Sequence, residues 1–195
     1  MKAIVLVLFV GLAASAQAQS CVAPKQWEGR IFEFIGTSEA EITQFRIGQE
    51  SYDAINLRRR YIEERMESRE RDYYDELFLH KEGIGYRVNL RTRECEKFQL
   101  TEKFRPIEVP ANTTLDDTFY LGAKVVPENN VEMNSYSGNT LEGYYRGAWT
   151  VKDCFPYIHS YLSVTPTARY FRKTMLDISI GISDPNVFEP PRECQ

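Results

Sequence analysis

The chain has 195 residues, with 28 acidic and 24 basic side chains and a formal net charge of -4. That balance is a poor match for nucleic acid, whose phosphates call for clustered Lys and Arg. The length suits one domain with a real core, and 12 Tyr with 11 Phe favour strands over helices.

From the N-terminus, Lys2 and the apolar run Ala3 to Ala14 precede Ala16-Gln17-Ala18, the small-x-small pattern of signal-peptide cleavage. Residues 1–18 are read as a leader and residues 19–195 as one mature domain. Losing Lys2 leaves 23 basic against 28 acidic residues, a charge of -5. The run is too short to cross a bilayer and no later stretch is long and apolar enough, so the expectation is a soluble, secreted, extracellular protein.

Strands are expected near Trp27 to Ile35 and Ile42 to Ile47. The stretch Arg58 to Asp72 reads equally as a short helix, with Arg59/Glu63 and Arg60/Glu64 at i,i+4 spacing, or as a charged strand extension. Tyr73 to His80 and Ile84 to Leu90 form an expected hairpin around Lys81-Glu82-Gly83. In its second arm Ile84, Tyr86, Val88 and Leu90 share one face. Further strands are expected at Phe119 to Leu121 and Gly143 to Val151, with turns at Glu128-Asn129-Asn130 and Ser137-Gly138-Asn139. Ile158, Ser160, Leu162 and Val164 alternate. So do Leu176, Ile178, Ile180 and Ile182, placed on one face of a long segment from Tyr170. The segment Asp184 to Cys194 carries Pro185, Pro190 and Pro191 and reads as an extended tail. The class is mainly β: an antiparallel sandwich or partly closed barrel with minor helix.

Cys21, Cys95, Cys154 and Cys194 contain no C-x-x-C pair, which excludes the usual zinc and thioredoxin geometries. Two disulfides are expected in an oxidising compartment, and the spacing alone leaves about three connectivities open. Each would stabilise by roughly 4 to 5 kcal/mol in the loop-entropy model.

Catalysis finds little support. His80 and His159 both sit in strand-like alternations, and neither a G-x-S-x-G nor an H-E-x-x-H motif occurs, so no enzyme is expected. Gly83-Ile84-Gly85 reads as a hairpin turn, because a strand follows where a phosphate loop needs a helix. The acids Asp116, Asp117, Asp177 and Asp184 are the candidates for calcium, although no EF-hand loop is present. Asn112-Thr113-Thr114 is the one N-glycosylation sequon, in a loop-like stretch after Pro110.

Three blocks carry a resemblance: Cys21-Val22-Ala23-Pro24-Lys25-Gln26-Trp27-Glu28-Gly29-Arg30, Val151-Lys152-Asp153-Cys154-Phe155-Pro156, and Asp184-Pro185-Asn186-Val187-Phe188-Glu189-Pro190-Pro191 leading to Cys194. The chain resembles the ependymin-related proteins of the mammalian-type branch. That resemblance implies a secreted glycoprotein with two stacked antiparallel sheets of the bacterial lipoprotein-carrier type around an apolar pocket, commonly a homodimer. It also implies bridges Cys21 to Cys154 and Cys95 to Cys194, calcium binding and cell-matrix adhesion. A pocket would be lined mainly by apolar side chains. The candidates are Tyr86, Val88, Leu90, Tyr145, Trp149, Leu162, Val164, Leu176, Ile178 and Ile180.

The leading expectation is a binding module for a hydrophobic small molecule or lipid. The alternative is a calcium-binding adhesion glycoprotein whose partners are extracellular matrix components.

Overall fold

The computed structural model describes residues 21–37, 42–67, 70–163 and 169–195; the leader and Val164 lie outside the described residues. Its strands are β1 (Gln26–Thr37), β2 (Ile42–Asp53), β3 (Arg58–Glu67), β4 (Glu70–Leu79), β5 (Ile84–Asn89), β6 (Cys95–Gln99), β7 (Thr114–Gly122), β8 (Asn130–Thr140), β9 (Gly143–Thr150), β10 (Pro156–Ser163) and β11 (Arg169–Ile180). They hydrogen-bond in the order β6-β5-β4-β3-β2-β1-β11-β10-β9-β8-β7. The fold is mainly β and antiparallel. Pairing of β1 with β11 joins the two sheets implied by the resemblance into one continuous, open sheet with edges at β6 and β7.

Strand β1 lies at the centre of the sheet, which explains why Ile31, Phe32, Phe34 and Ile35 are apolar on both of its faces. Its odd residues Trp27, Ile31 and Glu33 are buried on what we call the packed face. They are joined by Tyr52 of β2, Tyr61 of β3, Met175 of β11 and Trp149 of β9 in one core cluster. The Trp27 and Tyr52 rings stack with centroids 5.1 Å apart. Burying a side chain of this size contributes roughly 1.5 to 3 kcal/mol.

Residues 100–113 connect the two edge strands and cross the packed face. The Ile107 amide donates to the Tyr52 hydroxyl at 3.0 Å, and the Phe104 ring lies 5.7 Å from Tyr52 and 5.3 Å from His80. Gly138 belongs to this closure: a Cβ there would collide with the backbone oxygen of Asn112. The glycine therefore serves a close approach inside β8, and the turn expected at Ser137-Gly138-Asn139 is not formed.

Arg58 to Asp72 folds as strand, closing the choice between helix and extension. Asn89, at the end of β5, accepts from the amides of Arg91 at 2.9 Å and Thr92 at 3.0 Å, a side-chain turn that leads into β6. The tail is not fully extended. Asp184 caps a short 3-10 turn at Pro185–Phe188, with proline in the position where its fixed φ is compatible, and a second turn spans Arg192–Cys194.

The long alternation in β11 is interrupted. Trp27 pairs with Ile180 whereas Arg30 pairs with Leu176, so a bulge adds one residue around Asp177, whose φ is 52°. Leu176 and Ile180 consequently point to opposite faces, correcting the single apolar face expected there.

Candidate functional site

The packed face holds a relay of alternating charges that runs across seven adjacent strands. Lys173 of β11 lies 2.6 Å from Glu50 of β2 and 3.9 Å from Glu33 of β1. Arg46 stands 3.5 Å from Glu33 and 3.7 Å from Glu63 of β3, Arg65 bridges Glu63 and Glu76 of β4, and Arg87 of β5 links Glu76 to Glu96 of β6. The period-2 alternation puts these charges on one face; the register sets Glu33 opposite Arg46 and Glu76 opposite Arg87, while Arg46 and Arg65, opposite each other, both reach Glu63 from the side. Tyr61 donates to Glu50 at 2.9 Å and accepts from Lys173 at 3.3 Å.

Burial opposes charge on Lys173, but Glu50, Tyr61 and Glu33 outweigh it and raise the lysine above its ordinary value. Burial pushes Glu63 up, with Glu76 adding to the rise and Arg46 and Arg65 restraining it. His159 borders this network, with its ring against Tyr145, Trp149 and Tyr161. Burial first, then the charges of Lys173 and Arg59, lower it to about 3, so the imidazole is neutral at ordinary pH. Matched charge of this kind suits a structural role, since each cation is held by carboxylates.

The opposite face is open, and it divides into two regions. Over β3 to β5 the C-terminal tail covers it: Phe188 packs with Leu77 and Tyr86, Arg58 lies 4.1 Å from the Phe188 ring, and Arg60 donates to the Val187 carbonyl at 2.7 Å. Over β2, β1, β11, β10 and β9 two cross-strand rows remain partly exposed. One reads Ala148, Ile158, Thr174, Phe32, Ile47 and the next Arg146, Ser160, Arg172, Phe34, Phe45. Phe34 and Phe45 contact each other with centroids 4.8 Å apart. A third row adds Tyr144, Leu162 and Tyr170, which are 46%, 44% and 41% exposed. A depression of about 340 Å³ opens here, floored by Ser135, Gly147, Ala148 and Ser160 and walled by Phe119, Ile158, Tyr170, Arg146 and Arg172. Another hollow of about 350 Å³ lies among Arg65, Glu67, Glu70, Arg71, Asp72, Tyr74 and Arg91, which is charged and not apolar.

The residues proposed to line one pocket are thus distributed over three places. Tyr86 and Val88 are buried on the open face where the tail reaches it, with Leu90 in the following turn. Tyr145 and Trp149 belong to the packed face, where the Trp149 indole donates to the Tyr145 hydroxyl at 2.9 Å; Ile178 joins that core. Leu162 and Leu176 lie on the open face, and Ile180 is 73% exposed. They do not converge. The open-face residues Phe32, Phe34, Phe45, Ile47, Arg146 and Arg172 were missed as candidates, although Ile31, Phe32, Phe34 and Ile35, apolar at both parities on either side of Glu33, were the available signal.

Cys21 is bonded to Cys154 and Cys95 to Cys194, each pair with Cα atoms 5.4 Å apart. Asn112 is exposed in a turn, a position open to glycosylation. The calcium candidates do not converge either. Asp116 and Asp117 lie on edge strand β7, held to Ser137 and to the Thr118 amide. Asp177 pairs with Arg30 at 3.4 Å, and Asp184 caps the tail. Among the described residues no group of three or more His, Cys, Asp or Glu is arranged to hold a metal, so no calcium is placed.

The molecule is thus a mainly β protein built on one open antiparallel sheet of eleven strands among the described residues, with one packed face and one face that the tail covers only in part. Its sequence relationships agree with the fold: the Ependymin family model matches residues 68–194, and the chain belongs to the ependymin family. It is 32% identical to mammalian ependymin-related protein 1 of Mus musculus, over 95% of this chain and 81% of that protein. It is 26% identical to ependymin of Esox lucius, over 94% and 81%. In fold it is similar to an uncharacterized conserved protein from Thermus thermophilus, at TM-score 0.54 and 9% identity, covering 88% and 89% of the two chains.

Proposed function

We propose that this protein is a secreted, non-catalytic binding module that takes a hydrophobic small molecule or lipid on the bare part of its open face. The observation that carries the reading is the pair of cross-strand rows centred on Phe32, Phe34, Phe45 and Ile47, which stay partly exposed while the tail seals the neighbouring region. Contiguous partly exposed aromatic and aliphatic side chains of this kind suit contact with an apolar ligand. Removal from water at about 25 cal/mol per Å² supplies affinity without chemistry. Both disulfides fit an oxidising compartment, which supports secretion.

The test is titration of lipid-stripped protein with dansyl-undecanoate, comparing wild type with Phe34→Asp. Saturable binding that the substitution abolishes, with the thermal midpoint shifted little, is expected. Wild type that binds no probe, or a variant that binds it equally well, overturns the reading.

A further inference from the structure

Each described arginine from Arg30 to Arg105 has a carboxylate within 4.0 Å, from the pair with Asp177 at one end to that with Glu142 at the other. Four later arginines, Arg146, Arg169, Arg172 and Arg192, have no acidic partner within 4.0 Å among the described residues, and of these Arg146 and Arg172 wall the open-face depression. They are held in one cross-strand row on either side of Ser160, two strand spacings or roughly 10 Å apart at the backbone. Ser160 leaves the space between them clear, because its hydroxyl donates downward to the Arg146 carbonyl at 2.5 Å. The same row continues from Arg172 into Phe34 and Phe45. A cationic end therefore runs into an apolar track.

We infer that Arg146 and Arg172 anchor the anionic head of a single-chain amphiphile, a long-chain carboxylate or alkyl phosphate, whose tail lies along Phe34 and Phe45. This rests on the binding function proposed above and names its ligand class. The charge complementarity is specific: guanidinium forks donate paired hydrogen bonds to the oxygens of carboxylate or phosphate, and two of them converge on one small-floored hollow. An uncharged apolar ligand would leave both cations without a counter-charge beside aromatic surface.

Displacement of dansyl-undecanoate from lipid-stripped protein, below the critical micelle concentration, tests this with dodecanoate, dodecyl phosphate, dodecanol, acetate and inorganic phosphate. Dodecanoate and dodecyl phosphate should bind roughly 10-fold or more tightly than dodecanol, the scale of a charge-assisted hydrogen bond. The double variant Arg146→Gln/Arg172→Gln should erase that preference while binding dodecanol within about twofold of wild type, and the double Lys variant should keep part of it. Equal affinity of wild type for dodecanoate and dodecanol, or a preference that survives in the Gln variant, overturns the inference while leaving the apolar site standing. Inorganic phosphate that competes as well as dodecyl phosphate, or arginine-dependent binding to anionic vesicles without binding of the monomers, overturns it in favour of a free-anion site or a membrane surface. Failure of every probe, dodecanol included, removes the binding function itself.

Discussion

The open face carries two apolar regions built from the same strand alternation, and they meet opposite fates. Over β3 to β5 the tail lays Phe188 on Leu77 and Tyr86 and is tied down by the Cys95–Cys194 bridge. Over β2, β1, β11 and β10 the rows around Phe34 and Ile158 keep their exposure. A period-2 pattern states only that a face is apolar. Whether that face becomes core or site is decided by another segment, distant in sequence, that does or does not reach it.

The packed face sets the scale against which both regions can be judged. Lys173→Met should have the largest effect, because it removes the nearest cation of buried Glu50 and leaves Arg59 at 3.7 Å and, for Glu33, Arg46 at 3.5 Å as the remaining counter-charges; about 3 kcal/mol is expected in urea unfolding. A cost below about 1 kcal/mol would mean that the charge relay is solvated and is not part of the core. Releasing the tail should come next. Cys194→Ser should cost about 2 to 5 kcal/mol and raise binding of a hydrophobic dye as Leu77 and Tyr86 are uncovered, while dansyl-undecanoate binding on the bare region persists. Loss of that binding together with the tail would show the two regions to be one site.

The His159 effect is smaller and depends on pH. Its pKa of about 3 in the fold lies below the ordinary 6.5, so the unfolded chain binds the extra proton and acid favours unfolding. The contribution is fully present above pH 6.5 and is lost as pH falls towards 3, with about 2 kcal/mol of it gone between pH 7 and pH 5. Lys173 and Arg59, which also face the ring, stay charged throughout and do not alter the sign. His159→Phe should flatten this limb in denaturant titrations across pH, and an unchanged slope would place the acid sensitivity elsewhere.

The mainly β class, the β4–β5 hairpin and both bridges were legible, the first two from alternation and turn residues and the bridges from a family resemblance. The site was not. Its arginines are marked by lacking acidic partners beside a hollow, and pairing is a property of register: Arg65 and Arg146 look alike in sequence, yet one faces Glu63 and Glu76 and the other an open hollow. The relay was invisible for the same reason. Arg59/Glu63 and Arg60/Glu64 suggested a helix, whereas the actual partners of Arg60 and Glu63 are Asp75, Arg46 and Arg65, on or next to neighbouring positions of a strand. The bulge at Asp177 also leaves no mark, since one extra residue in β11 changes no hydrophobicity but reverses every side chain beyond it.

That reversal supplies the mildest test. Ile178 packs beside Gly29 against the core cluster, while Ile180, two residues on, is 73% exposed. Ile178→Asp should cost roughly 2 kcal/mol, because its carboxylate enters apolar surroundings without a partner. Ile180→Asp should stay within about 0.5 kcal/mol of wild type, as surface substitutions do. Neither residue lies on the open face, so neither substitution should change dansyl-undecanoate binding in protein that remains folded. Leu176→Asp, across the bulge on the open face, should weaken that binding modestly because it adds negative charge near the apolar rows. If Ile178→Asp reduces binding as much as Leu176→Asp does, the alternation continues through Asp177 unbroken and Ile178 shares the open face with Leu176. If only Leu176→Asp does so, the bulge has moved Leu176 to the face with Phe34 and left Ile178 in the core.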